Sequence, residues 1–202
     1  LVTVWDATSG NELYVAKGRI DCSLDWSPDG TKILSGKECT VRVSETASGR
    51  DLHTLKGHGG FVVIVAWSSG GDKFGSGGGR GDGTVRVWDA MSGSELQMLK
   101  AHDGEVLALS WSPDGLKLLS RGDDLIVRVW DVMTGRELLS IEGYESQAVA
   151  VAWSPDGTKL ATGSHDGTVK VWDAVSGSEV HTFKGHQGPV ASVDWSPDGT
   201  ML

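Results

Sequence analysis

Trp153-Ser-Pro-Asp-Gly-Thr-Lys-Leu-Ala-Thr-Gly-Ser-His-Asp-Gly-Thr-Val-Lys-Val-Trp172-Asp173 is the stretch from which the fold can be read. Before it, Ala148 to Trp153 is apolar on both parities, as in a strand with two buried faces. Ser154-Pro155-Asp156-Gly157 is a turn: Pro pre-sets φ at the second position and Gly closes the chain. A second strand is expected over Thr158 to Gly163, then a tight hairpin at His165-Asp166-Gly167, then a third strand from Thr168 to Trp172. Asp173 to Gly177 makes another turn. The more polar Glu179 to Lys184 suits an outer edge strand, where charges discourage pairing with other chains.

The rest of the chain repeats this unit. One tryptophan series runs Trp26, Trp67, Trp111, Trp153, Trp195, with spacings of 41, 44, 42 and 42. A second runs Trp5, Ser44, Trp88, Trp130, Trp172, with spacings of 39, 44, 42 and 42, and Ser44 stands where a Trp is expected. Two interleaved series with one period of about 42 residues define a tandem four-stranded unit. A sheet this small cannot bury two faces alone. Copies stacked face to face around an axis can, so the sequence predicts an all-β fold, a β-propeller of four-stranded antiparallel blades.

The repeats resemble the WD-repeat (WD-40) family. The resemblance is carried by Gly57-His58, Gly185-His186 and the pairs Trp5-Asp6, Trp88-Asp89, Trp130-Asp131 and Trp172-Asp173, and it covers essentially the whole chain. Residues 1–202 read as one domain. Four complete blades occupy 20–56, 61–100, 105–141 and 147–184. A partial blade is split between the termini: third and fourth strands in 1–16, first strand and the start of a second in 189–202. Ring closure in the family commonly joins strands from both termini. The split blade therefore implies either five-bladed closure or a segment of a larger ring, which alone would close or remain an open arc. An open arc exposes blade edges that invite self-association.

The blades depart from one another. Blade one has Gly18-Arg19 for Gly-His, Lys37-Glu38-Cys39 at the tight turn and Ser44-Glu45 for Trp-Asp. Blade two has Ser69-Gly70-Gly71 for the Pro turn and an extended loop at Gly77-Gly78-Gly79-Arg80-Gly81. Blade three has Ala101-His102, and blade four has Gly143-Tyr144, for Gly-His.

The resemblance implies a structural hydrogen-bond set of His, Ser or Thr, Asp and Trp in each blade. It maps onto His58, Ser76, Asp82 and Trp88 in blade two and onto His102, Ser120, Asp124 and Trp130 in blade three. Blade four offers Thr162, Asp166 and Trp172, with Tyr144 in place of the His, and blade one keeps only Ser35. A Ser, His and Asp together also suit nucleophilic catalysis, but a triad is expected once, not once per blade. No catalytic residue is assigned. His58, His102, His165 and His186 lack zinc-ligand spacing, and the Asp-rich turns lack a calcium-loop pattern, so neither metal nor cofactor is expected. The glycine loop has no Gly-Lys-Ser/Thr and opens onto a strand, unlike a phosphate cradle.

Composition narrows the partners. The chain has 202 residues, a net charge of −9 and no basic cluster, which argues against nucleic acid and anionic membranes. No apolar run is long enough to span a bilayer. Cys22 and Cys39 make neither a disulfide framework nor a CxxC site. The expectation is a non-catalytic scaffold or adaptor in the cytoplasm, or alternatively the nucleus, binding proteins or peptides. The alternative is a regulatory or sensor propeller of a larger protein with a kinase or NTPase domain. The family's common partner face bears the tight turns and Gly-His connectors, where the exposed candidates are Arg19, Phe61, Arg80, Tyr144, Glu145, His165 and Gln187.

Overall fold

The computed structural model describes residues 2–16, 23–142 and 148–202. Strands β1 (Val2–Trp5) and β2 (Glu12–Ala16) form a two-stranded sheet. Blade one follows with β3 (Leu24–Trp26), β4 (Lys32–Lys37), β5 (Thr40–Glu45) and β6 (Asp51–Lys56). Blade two holds β7 (Val62–Trp67), β8 (Lys73–Gly78), β9 (Thr84–Asp89) and β10 (Glu95–Lys100). Blade three holds β11 (Val106–Trp111), β12 (Lys117–Gly122), β13 (Val127–Asp131) and β14 (Glu137–Ile141). Blade four holds β15 (Ala148–Trp153), β16 (Lys159–Ser164), β17 (Thr168–Asp173) and β18 (Glu179–Lys184). Each blade is an antiparallel meander in chain order. No helix among the described residues is long and apolar enough to cross a membrane.

The turns set the registers. In blade four, the Ser154 hydroxyl donates to Asp156 (2.6 Å) and accepts from Lys159 N (2.9 Å), while Thr158 N donates to Asp156 (3.0 Å). Thr158 is thereby held in the turn, so the second strand begins at Lys159, one residue later than expected, and pairs Lys159 with Asp173. The same geometry recurs at Ser27/Asp29 and Ser112/Asp114. Asp29 and Asp156 are lowered to about 2, first by the serine hydroxyl and then by the turn amides. Blade two lacks the Pro and the Asp of that turn, yet closes it with Asp72, which accepts from Ser68 Oγ at 3.0 Å.

The core lies between blades. Leu34, Val41 and Val43 of blade one pack with Val62, Val65, Phe74 and Trp88 of blade two. Val85 and Val87 pack with Val106, Trp111 and Leu118, and Leu119 and Val129 with Trp153 and Leu160. Each fully buried Val or Leu contributes about 1.5–3 kcal/mol. First strands of neighbouring blades touch one another (β3 with β7, β7 with β11, β11 with β15), which puts them innermost and β6, β10, β14 and β18 outermost.

Close approach of the blades requires glycine. A Cβ on Gly36 would lie 2.9 Å from Val62 O, one on Gly77 2.7 Å from Val106 Cβ, and one on Gly163 2.7 Å from Val190 Cγ1. Gly77 and Gly78 belong to β8, so the blade-two loop is residues 79–83 and begins two residues later than expected.

The ends differ most from expectation. Residues 185–202 contain no strand, although a first strand was expected within 189–202. Val190 N donates to Ser164 O (3.0 Å), and Val190 packs on Gly163, which seats that segment against blade four. A Ser-Pro-Asp-Gly turn still forms, with Ser196 N donating to Met201 O at 2.9 Å. Strands β1 and β2 bond only to each other. Val190 thereby takes the place against Gly163 that Val62 takes against Gly36 and Val106 against Gly77, the place of a next blade's first strand, and no described pairing joins it to β1 or β2.

Candidate functional site

Burial forces the polar groups of blades two and three into ordered chains. Trp88 Nε1 can only donate, and it does so to Ser76 Oγ at 2.9 Å. The one Ser76 proton is then available to His58 Nε2, 2.7 Å away. Nε2 must accept it, so Nδ1 carries the imidazole proton and donates to Asp82 Oδ2 at 2.6 Å. The carboxylate also accepts from Gly59 N (3.2 Å) and Thr84 Oγ1 (2.7 Å). The chain thus links the β9 tryptophan, a β8 serine, the connector before β7 and the turn after β8.

Blade three repeats it with Trp130 Nε1 to Ser120 Oγ at 2.9 Å, Ser120 to His102 Nε2 at 2.9 Å and His102 Nδ1 to Asp124 at 2.9 and 3.0 Å. Arg128 Nη1 donates to Asp124 at 2.9 Å. Neither Arg128 nor Thr84 was singled out from the sequence; the signal was their placement on the third strand, two and four residues before the Trp.

These environments fix protonation. Burial lowers the pKa of His58 and His102, and outweighs the opposing pull of Asp82 and Asp124. Burial alone would raise the two aspartates, but donors from Thr84 and His58, and from Arg128 and His102, hold them below their ordinary value. Neutral imidazoles and ionised carboxylates result. Ser76 and Ser120 are 0% exposed, so no substrate carbonyl can approach either hydroxyl.

Blades four and one diverge. Trp172 Nε1 donates to Thr162 Oγ1 at 3.0 Å. Asp166 instead accepts from Thr168 N (2.8 Å) and Thr168 Oγ1 (2.7 Å), closing its own turn. Tyr144, at the His position, lies outside the described residues. In blade one, Ser35 is buried and Ser44 Oγ donates to Asp51 at 2.8 Å, on the outer strand. Among the described residues, no three His, Cys, Asp or Glu side chains converge as a metal site would require.

Of the candidate face, Arg19, Tyr144 and Glu145 lie outside the described residues, as does Cys22. Phe61 and Arg80 come together on blade two, where Gly79 N donates to Phe61 O at 2.7 Å. Phe61 is exposed, and the Arg80 side chain is 91% exposed while its Nε reaches Glu105 of blade three at 3.1 Å. His165 and Gln187 are exposed.

Residues 20–202 match the family model described as the IFT122 first beta-propeller. The chain belongs to that family. The match takes in all four complete blades and residues 185–202, and leaves out β1 and β2. The IFT122 first beta-propeller is a WD40-type domain, so the sequence resemblance and the family agree on the fold. Membership identifies a propeller scaffold compatible with protein interaction. The buried His–Ser–Trp chain of blade two joins the connector before β7 to the turn after β8, the segment that carries Arg80.

Proposed function

We propose that this propeller is a non-catalytic scaffold that binds protein or peptide partners on the face formed by its second-to-third-strand turns and inter-blade connectors. The observation that carries this reading is the pairing of exposed Phe61 and Arg80 on a blade whose loop is anchored by backbone hydrogen bonds. An exposed aromatic beside an Arg on a rigid scaffold suits an interaction anchor. By position, Arg19, Tyr144, Glu145, His165 and Gln187 extend the face. Burial of Ser76 and Ser120 supports the non-catalytic reading. The net charge of −9 supports protein partners over nucleic acid or anionic membranes, in a cytoplasmic setting.

A Phe61→Ser/Arg80→Glu variant tests the face. Its melting temperature should stay within about 2 °C of wild type, since an exposed ion pair contributes ~0–1 kcal/mol. Affinity capture from extracts of the source cells should lose the specific partners. Identical captured sets would rule out this face, and a chemical turnover abolished by Ser76→Ala would rule out the non-catalytic reading.

The family's own description favours a second reading, in which the chain is a regulatory propeller of a larger protein, since a first propeller implies others. Self-association is a further expectation of the unpaired β1 edge and of half-exposed Leu24 and Trp26.

A further inference from the structure

Successive turns of a meander alternate between the ends of a blade, so the first-to-second and third-to-fourth turns emerge opposite the Phe61–Arg80 face. That opposite face holds the three most exposed large hydrophobic residues among those described: Met91 (92%), Val175 (86%) and Met133 (70%). They occupy one equivalent position, two residues after the Asp that ends the third strand of blades two, four and three. Leu116, 52% exposed, joins them: Val132 N donates to Leu116 O at 3.0 Å, which sets it beside the Met133 turn.

The turn tips are held rigidly. Asp89 Oδ1 accepts from Ser92 N (2.7 Å), and Asp131 Oδ1 from Thr134 N (2.7 Å). The Met91 carbonyl accepts from His53 Nε2 of blade one (3.2 Å), and the Met133 carbonyl from Gln97 Nε2 of blade two (3.0 Å). With these carbonyls engaged, the turn tips themselves offer a partner side chains rather than backbone. A rigid tip also presents its apolar side chain at low entropic cost.

Charge indicates what would sit there. The same turns carry the exposed carboxylates Asp114 and Asp156, which bond to turn hydroxyls, whereas exposed Asp72, Glu95 and Glu137 are paired with Lys73, Arg86 and Arg128. Of the cations at these turns, Lys117 Nζ lies over the Trp153 ring at 5.9 Å, while Arg136 beside the Met133 turn is exposed. Asp114 lies below its ordinary value, chiefly through the Ser112 hydroxyl, so its charge persists well into acid.

We propose that this face, centred on Met91, Leu116 and Met133, is a second docking surface that receives an amphipathic helix combining apolar and Lys/Arg side chains. It rests on the interaction-scaffold reading only in taking the domain to bind proteins, and it uses none of the Phe61–Arg80 face.

The chain has four methionines, so ε-methyl NMR of methyl-labelled protein reads the surface directly. An 18-residue Leu/Lys amphipathic peptide serves as the probe and a Leu/Glu peptide of the same apolar pattern as the control. The Leu/Lys peptide should shift the Met91 and Met133 methyls more than that of Met98, which lies within β10. Raising salt from about 0.05 to about 0.5 M should weaken binding severalfold. Met91→Ser/Met133→Ser should lose about tenfold or more in affinity with an unchanged melt, while Phe61→Ser/Arg80→Glu keeps it. No binding, equal binding of the Leu/Glu peptide, or shifts confined to Met98 or Met201 would overturn the proposal. So would self-association that the double Met variant abolishes, since that would make the face an interface between copies of this chain. Retained peptide binding with an unaltered captured set in the Phe61/Arg80 variant would fail the first face and leave this one standing.

Discussion

Blades two and four descend from the same sequence unit, yet they spend their aspartates differently. In blade two, Asp82 reaches across to the connector histidine and ties the second-to-third turn to the inner strand through His58, Ser76 and Trp88. In blade four, Asp166 bonds Thr168 and Ser164 at its own turn, and Trp172 donates to Thr162. The difference shows that a polar chain of this kind is assembled by its weakest member. Both aspartates accept from the threonine two residues on, Thr84 and Thr168, and Asp82 in addition meets an imidazole. The apolar seams show a parallel contrast. Trp67 and Trp111, with blades on both sides, are 6% and 7% exposed, while Trp26 of blade one is 48% exposed.

The seam contrast predicts the largest effect. Leu118 is fully buried between blades two and three, so Leu118→Ala should cost about 3 kcal/mol, read as a lower denaturant midpoint. Leu24→Ala, at the half-exposed face of blade one, should cost well under half as much. Equal losses would mean that the blade-one face is covered in solution.

The two aspartates come next. Asp82→Ala strands the buried His58 N–H and the Thr84 hydroxyl and should cost about 2 kcal/mol. Asp166→Ala removes the exposed bonds from Thr168 and one to Ser164, strands no buried imidazole, and should cost less than that in the same denaturation assay. A matched pair of losses would erase the distinction drawn between the blades.

The smallest effect is with pH. His58 and His102 titrate below their ordinary 6.5 in the folded chain, so the unfolded chain binds more protons as pH falls past 6.5. Their stabilisation is complete above that value and is lost as pH drops toward the folded pKa. The denaturant midpoint should therefore be lower at pH 5.5 than at pH 7.5, and His58→Asn should flatten part of that slope. A midpoint that rises on acidification would mean the imidazoles are charged in the native state.

Much of this was legible in the residues because the interactions are short in sequence. The Ser-Pro-Asp-Gly turns close through hydrogen bonds spanning two to five residues, and the tryptophan period marks each blade without reference to its neighbours. Blade two's chain was legible because every member kept its expected type. The bonds of Asp82 and Asp166 to the threonines two residues on were not singled out, since Thr84 and Thr168 fit the strand pattern like any other residue. The apolar turn tips at Met91 and Met133 also escaped notice, because one exposed residue per repeat breaks no strand pattern.

The sequence by itself determined the repeat, the order of strands and the turn chemistry, all of which rest on local hydrogen bonds and a two-residue side-chain period. Only the tertiary structure decided which tryptophans are buried, where Gly36, Gly77 and Gly163 let blades touch, and that residues 185–202 lie against blade four without forming the expected strand. Those outcomes depend on which sheet faces meet, and a four-stranded blade carries the same apolar pattern whether or not a neighbour covers it.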